Sequence, residues 1–182
     1  MRIIAGTHRG RRLEAPADET IRPTADRVRE ALFSILTHRL EGFAGRRVLD
    51  AFAGSGALGL EALSRGTESA VFMDKDRGAL ALCRRNAETI RLRDKSTFLL
   101  ADAIKPPASD TGCDLILLDP PYGQGLGEKA LAALAAAGWA APGALAVIEA
   151  DRARPEACPA GFEELDVRDY GRTRILLLTS KS

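Results

Sequence analysis

Two short runs in this sequence place chemically useful residues at telling intervals. The first is Asp50-Ala51-Phe52-Ala53-Gly54-Ser55-Gly56-Ala57-Leu58-Gly59, in which Gly54, Gly56 and Gly59 satisfy a G-x-G-x-x-G spacing. Glycines at those positions let the backbone turn sharply and approach a ligand with no Cβ in the way. Asp74 follows about 20 residues after the glycines, the distance expected of a carboxylate that grips ribose hydroxyls. The second run is Asp119-Pro120-Pro121-Tyr122. Two prolines stiffen the backbone and leave carbonyls without competing amide donors. Asp119 and a backbone carbonyl, that of Pro120, can together receive both hydrogens of an –NH2 group, while Tyr122 stacks on the ring that carries it.

These runs need a framework of alternating strands and helices. The apolar run at 48–52 predicts a strand, the glycine turn follows it, and a helix then continues to Arg65, where Gly66 stops it. Further strands are expected at 70–73, 97–100, 115–118 and 144–148, with helices over 77–90 and 130–137. The run 115–118 is continuously apolar, as a strand buried on both faces should be. Residues 162–167 and 174–178 have no room for a helix between them and must pair as a hairpin through 169–172. Ahead of this core, Thr24 is a plausible cap for a helix over 24–42 that buries Val28, Leu32, Ile35 and Leu36. Residues 1 to about 20 read as a basic arm (Arg2, Arg9, Arg11, Arg12) rather than a packed element. The whole is an α/β protein with a parallel sheet and an antiparallel edge.

The glycines alone permit a dinucleotide. Asp50 argues against one, because a carboxylate at the strand end would repel a pyrophosphate but pair with the ammonium of a methionine moiety. The chain also lacks a second βαβαβ half, so an NAD-dependent oxidoreductase is the weaker alternative. Asp102, after the third strand, can accept a hydrogen bond from an adenine amine.

The 182 residues carry a formal net charge of +1, with 46% hydrophobic and 28% charged residues. That composition fits one soluble domain and excludes a uniformly basic protein, although the clustered arginines of the arm still allow nucleic acid. Nothing approaches the roughly 18 consecutive apolar residues of a membrane span. Met1-Arg2-Ile3-Ile4 lacks the apolar core of a signal peptide and reads as the start of the mature protein. Cys83, Cys113 and Cys158 are scattered and form no CxxC pair, so neither disulfides nor a metal site is expected. A reduced, cytoplasmic protein is the expectation. His8 and His38 read as bystanders, and Trp139 as packing.

The two runs together resemble the class I S-adenosylmethionine-dependent methyltransferases that modify exocyclic amines of bases. The likeness extends outward through 1–13, Ile21-Arg22-Pro23-Thr24, Arg27-Val28-Arg29-Glu30-Ala31-Leu32-Phe33, 56–66 and Tyr170-Gly171. These blocks are similar to a bacterial family that methylates N2 of one guanine in 16S ribosomal RNA. The resemblance implies a single methyltransferase domain over 1–182: the arm at 1–20, the helix at 24–42 and a Rossmann-like catalytic core at 47–182. The sheet would be seven-stranded and mixed, mostly parallel with an antiparallel C-terminal hairpin.

Carried onto this chain, the resemblance puts Asp50, Ala51, Phe52, Gly54, Ser55 and Gly56 around the methionine part of S-adenosylmethionine. Asp74 would meet the ribose, Asp102 and Ala103 the adenine, and Asp119 to Tyr122 the target guanine, with Asp119 also bordering the cofactor. Asp74 stands where Glu is the more frequent family residue, and the shorter carboxylate still reaches a hydroxyl. Arg9, Arg11, Arg12, Arg22 and Arg27 would contact RNA phosphates, which give salt-dependent affinity and little sequence information. For Arg22, Thr24, Arg27 and Arg29 the sequence leaves open whether they serve RNA or close over the cofactor. The implied reaction is direct in-line methyl transfer to an unstacked base, with 16S rRNA in the small ribosomal subunit or its assembly intermediate as partner. A monomer is expected, without metal or membrane. An N6-adenine methyltransferase acting on DNA or RNA, and a non-catalytic RNA-binding assembly factor, are the rival readings, since the Asp-Pro-Pro-Tyr run reads an amine and not a ring.

Overall fold

The computed structural model describes residues 1–16, 23–121 and 123–181, and only the backbone of 23–25. Seven strands form one sheet: β1 (Arg47–Asp50), β2 (Ser69–Asp74), β3 (Ser96–Leu100), β4 (Cys113–Leu118), β5 (Ala140–Asp151), β6 (Phe162–Tyr170) and β7 (Thr173–Ser180). Their order is β3-β2-β1-β4-β5-β7-β6. The first five strands are parallel, and β7 pairs antiparallel with both β5 and β6. The expected seven-stranded mixed sheet is therefore present.

Alternation along β4 shows why this segment is a strand. Leu115 and Leu117 face a core filled by α1 (Pro23–Arg39), α2 (Ala57–Ser64) and α3 (Arg77–Thr89), while Ile116 and Leu118 face α4 (Leu126–Ala136). All four are at most 1% exposed. Each such side chain contributes roughly 1.5–3 kcal/mol of burial, and its continuous apolar sequence is the consequence of having two covered faces.

Several boundaries differ from expectation. Helix α1 begins at Pro23, so Thr24 lies inside the first turn instead of capping it. A proline suits that position because its missing N–H is not needed there. The fifth strand starts at Ala140, four residues early, and tolerates Pro142-Gly143 through a register irregularity against β4. Strands β6 and β7 lengthen the hairpin until only Gly171-Arg172 separates them, with Gly171 at φ +62.

The arm is the main correction. It is a packed element, held as a small hairpin: Ile3 N–H donates to the Arg11 carbonyl at 2.9 Å, Gly10 N–H to Ile3 at 2.9 Å and Leu13 N–H to Met1 at 3.0 Å. Ile3 and Leu13 are buried in the core. On α2, Glu61 is fully buried and accepts from Ile4 N–H (2.7 Å), Ala5 N–H (3.0 Å) and Arg65 Nε (2.8 Å). Gly6 sits so close to the Ser64 backbone that a side chain there would overlap it. Ile3 and Leu13 are ten residues apart and show no periodicity, so the pattern could not reveal their common burial. Among the described residues, no helix is long and apolar enough to cross a membrane.

Candidate active site

From β1 the chain builds outward to β2 and β3, then returns to place β4 on the other flank of β1. Sheets with such a reversal open a crevice at the carboxyl ends of the strands on either side of it. Four of the singled-out carboxylates stand on that edge. Asp50 ends β1, Asp74 ends β2, Asp102 lies two residues past β3 and Asp119 is the first residue past β4.

The glycine run is fixed from three sides. Ala51 N–H donates to the Leu117 carbonyl at 2.9 Å and Ala53 N–H to the Met73 carbonyl at 3.0 Å, so the loop is tied to β4 and β2. Gly54 N–H donates to Asp74 Oδ2 at 2.9 Å, and buried Asn86 on α3 donates through Nδ2 to the Ser55 carbonyl at 2.9 Å. Gly56, in the left-handed region at φ +81, precedes α2, and a Cβ there would collide with Cys83 Sγ. Gly59 lies against the Phe72 ring, where a Cβ would stand 2.9 Å from Cζ. The first requirement is conformational and the second is close helix–strand packing. Phe52 is half-buried, and Ala51 and Ser55 are buried.

Asp50 is 1% exposed, and its Oδ2 accepts from Gly59 N–H at 2.9 Å. Burial pushes its carboxyl up to about 7; the Gly59 hydrogen bond opposes that shift and the nearby Asp74 charge adds to it. No arginine or lysine pairs with it among the described residues. Asp74 is half-buried and accepts from Asp76 N–H through Oδ1 at 2.9 Å, in addition to Gly54. Asp102 accepts from Ile104 N–H at 3.1 Å, and Ala103 beside it is buried.

Asp119 is exposed at the mouth, Pro120 is buried beneath it and Pro121 is exposed. Tyr122 and Arg22 lie outside the described residues, as does the side chain of Thr24. Trp139 packs as expected, 7% exposed with Nε1 donating to the Pro107 carbonyl at 2.8 Å.

Arg9, Arg11, Arg12 and Arg27 are all exposed. Thr7 and His8, at the tip of the arm, dock on Ser64 at the far end of α2, whereas Met1 and Glu14 lie beside the glycine loop. Burial and the charges of Arg11 and Lys95 lower the His8 pKa. Arg29 is buried and structural. Its Nη2 donates to the Arg2 carbonyl at 2.7 Å and pairs with Asp26 at 2.9 Å, pinning the arm to α1.

A cavity of about 520 Å³ opens beside Gly54, lined by Glu14, Pro16, Asp76, Leu82 and Arg85. A larger one, about 740 Å³, lies at the far end of α2 among Ala5, His38, Glu41 and Arg65, away from the four carboxylates. Sequence reasoning assigned no role to Asn86 or Glu61; a lone polar residue on an amphipathic helix gives no signal that it is buried.

Comparison with known proteins identifies the family. The family described as Conserved hypothetical protein 95 matches residues 1–179. Over 178 residues, 94% of this chain and 89% of the relative, the chain is 34% identical to ribosomal RNA small subunit methyltransferase D of Haemophilus influenzae. The solved structure of the yhhF protein of Escherichia coli overlays at a TM-score of 0.85, is 30% identical and covers 100% of this chain and 98% of that one. A shorter likeness, 44% identical over 87 residues, joins it to the tRNA (guanine(6)-N2)-methyltransferase of Thermus thermophilus, spanning 47% of this chain and 26% of that protein. The chain is a member of the Conserved hypothetical protein 95 family, the family of ribosomal RNA small subunit methyltransferase D.

Proposed function

We propose that this protein methylates the exocyclic N2 amine of a specific guanine in 16S ribosomal RNA of the small subunit, with S-adenosylmethionine as donor. The observation that carries the reading is the collection of Asp50, Asp74, Asp102 and Asp119 on one sheet edge around the strand reversal. The names of the relatives supply the substrate class, and the Thermus relative is named for the same N2 position of a guanine.

The residues fit that donor. Gly54 and Gly56 present bare backbone, and Asp50 is a buried acid with no cationic partner among the described residues, suited to the donor's ammonium. Asp74 and Asp102 offer acceptors to ribose hydroxyls and to the adenine amine. S-adenosylmethionine, when bound, supplies an electrophilic sulfonium methyl for direct in-line transfer.

The chain's own contribution is alignment. An aromatic amine is a weak nucleophile because its lone pair is delocalised into the ring. Asp119 and the Pro120 carbonyl, as two acceptors, hold both hydrogens and favour a pyramidal nitrogen, while Tyr122 stacks on the ring. The proton lost from nitrogen goes to solvent, so no general base is required. Arg9, Arg11, Arg12, Arg22 and Arg27 would meet phosphates, and the base must be unstacked to enter.

The test is transfer of labelled methyl to small subunits lacking the modification, followed by nucleoside analysis. Label in N2-methylguanosine at one position supports the reading, whereas label in N6-methyladenosine overturns the base assignment. Asp119→Ala should abolish turnover and leave the donor dissociation constant within about twofold; lost donor binding would move the base pocket elsewhere.

A further inference from the structure

We propose that Arg154 grips a phosphate of the RNA strand next to the target nucleotide, an inference that rests on the function proposed above. Arg154 follows β5 in a tight turn: its N–H donates to the Asp151 carbonyl at 2.9 Å, and Ala153 N–H donates to Asp151 Oδ1 at 2.8 Å. The turn lays the arginine side chain across Gly123, the residue directly after the Asp119–Tyr122 run. A Cβ on Gly123 would collide with Arg154 Nη1 and stand 2.9 Å from its Cδ. Gly123 is thus held to glycine twice, by its φ of +80 and by the arginine lying on it.

Its neighbours on the hairpin are engaged differently. Arg152 pairs with Asp169, Arg168 with Asp166, Arg172 with Asp151 and Arg174 with Asp169. Arg154 is exposed and forms no ion pair with a described residue. Asp151, the acid in its own turn, pairs with Arg172 at 3.4 Å and also feels the Arg154 charge.

The electrostatics of the mouth call for such a group. Asp50, Asp74, Asp102, Asp119 and Glu149 all lie on the edge that a polyanion must approach. A base swung out of its stack leaves its flanking phosphates at this edge, where a cation can bind them. A planar guanidinium with paired donors suits a phosphate, and from Gly123 it reaches the strand beside the pocket without occupying the pocket.

The experiment uses the full chain, with wild type, Arg154→Ala and Arg154→Lys assayed for methyl transfer to unmodified small subunits over a range of KCl concentrations. For Arg154→Ala the KM for subunits should rise about tenfold, and the salt dependence of kcat/KM should become shallower by about one on a log–log scale. Its kcat and donor dissociation constant should stay near the wild-type values. Arg154→Lys should keep the wild-type slope with an intermediate KM. An unchanged KM and slope in Arg154→Ala, with wild type active, would overturn this role alone. A fall confined to kcat would also overturn it, since the arginine would then act on the reacting nucleotide. Wild type that transfers nothing to subunits would take down the functional reading and this inference together.

Discussion

Asp50 offers the most demanding test, because burial and ligand binding push its ionisation in opposite directions. In the free protein its carboxyl is raised from the ordinary 3.8 to about 7. The unfolded chain therefore sheds this proton near pH 4, while the folded chain keeps it until near pH 7. Between those values the native state binds more protons, so this group's contribution to stability is complete below about pH 4 and declines as pH rises to 7. About three pH units at about 1.4 kcal/mol each cap the effect near 4 kcal/mol. Asp50→Asn keeps an acceptor for Gly59 N–H and removes the ionisation, although its new amide N–H needs a partner at a cost of about 1–3 kcal/mol. The variant should gain on wild type steadily from pH 4.5 to 7.5, by several degrees in Tm for a chain of this length. Donor binding should show the reverse. An ammonium stabilises the ionised acid, so wild-type affinity should fall by up to about tenfold per unit as pH drops below 7, and Asp50→Asn should bind weakly at every pH. Urea unfolding and equilibrium dialysis across pH 5.5–7.5 read both effects. A stability difference that stays flat with pH would refute the burial argument, and a flat wild-type affinity would refute the ammonium pairing.

Other perturbations address separate parts of the molecule. Glu61→Ala strands Arg65 and two arm N–H groups, and should cost about 3–5 kcal/mol by denaturant unfolding; a loss under about 1 kcal/mol would mean that the arm docks without it. Gly56→Ala combines φ +81 with a collision against Cys83 and should lower stability by at least about 1–2 kcal/mol while weakening donor binding. Unchanged dialysis curves for that variant would detach the glycine turn from the donor. Replacing Arg9, Arg11 and Arg12 together by Ala should flatten the salt dependence of RNA binding by up to about three log–log units, and an unaltered slope would place the arm off the RNA.

The sequence by itself determined the strand–helix alternation, because burial on two faces leaves continuous apolar runs such as 115–118 and because glycines at 54, 56 and 59 punctuate one particular kind of turn. It also placed Asp50, Asp74, Asp102 and Asp119 at or just past the ends of expected strands, where the structure has them. Only the tertiary structure decided that the arm is a docked hairpin, because Ile3, Leu13 and Glu61 are brought together by contacts over about fifty residues that leave no local period. The same holds for Arg29, an arginine whose sequence context leaves RNA and cofactor both open and whose burial makes it a tether between α1 and the arm. It holds again for Arg154, which lies 31 positions beyond Gly123 in the chain and meets it only because β4 and β5 are neighbours in the sheet. Local pattern records which face of an element is apolar; which element covers that face, and what polar group is trapped beneath it, depends on strand order and packing.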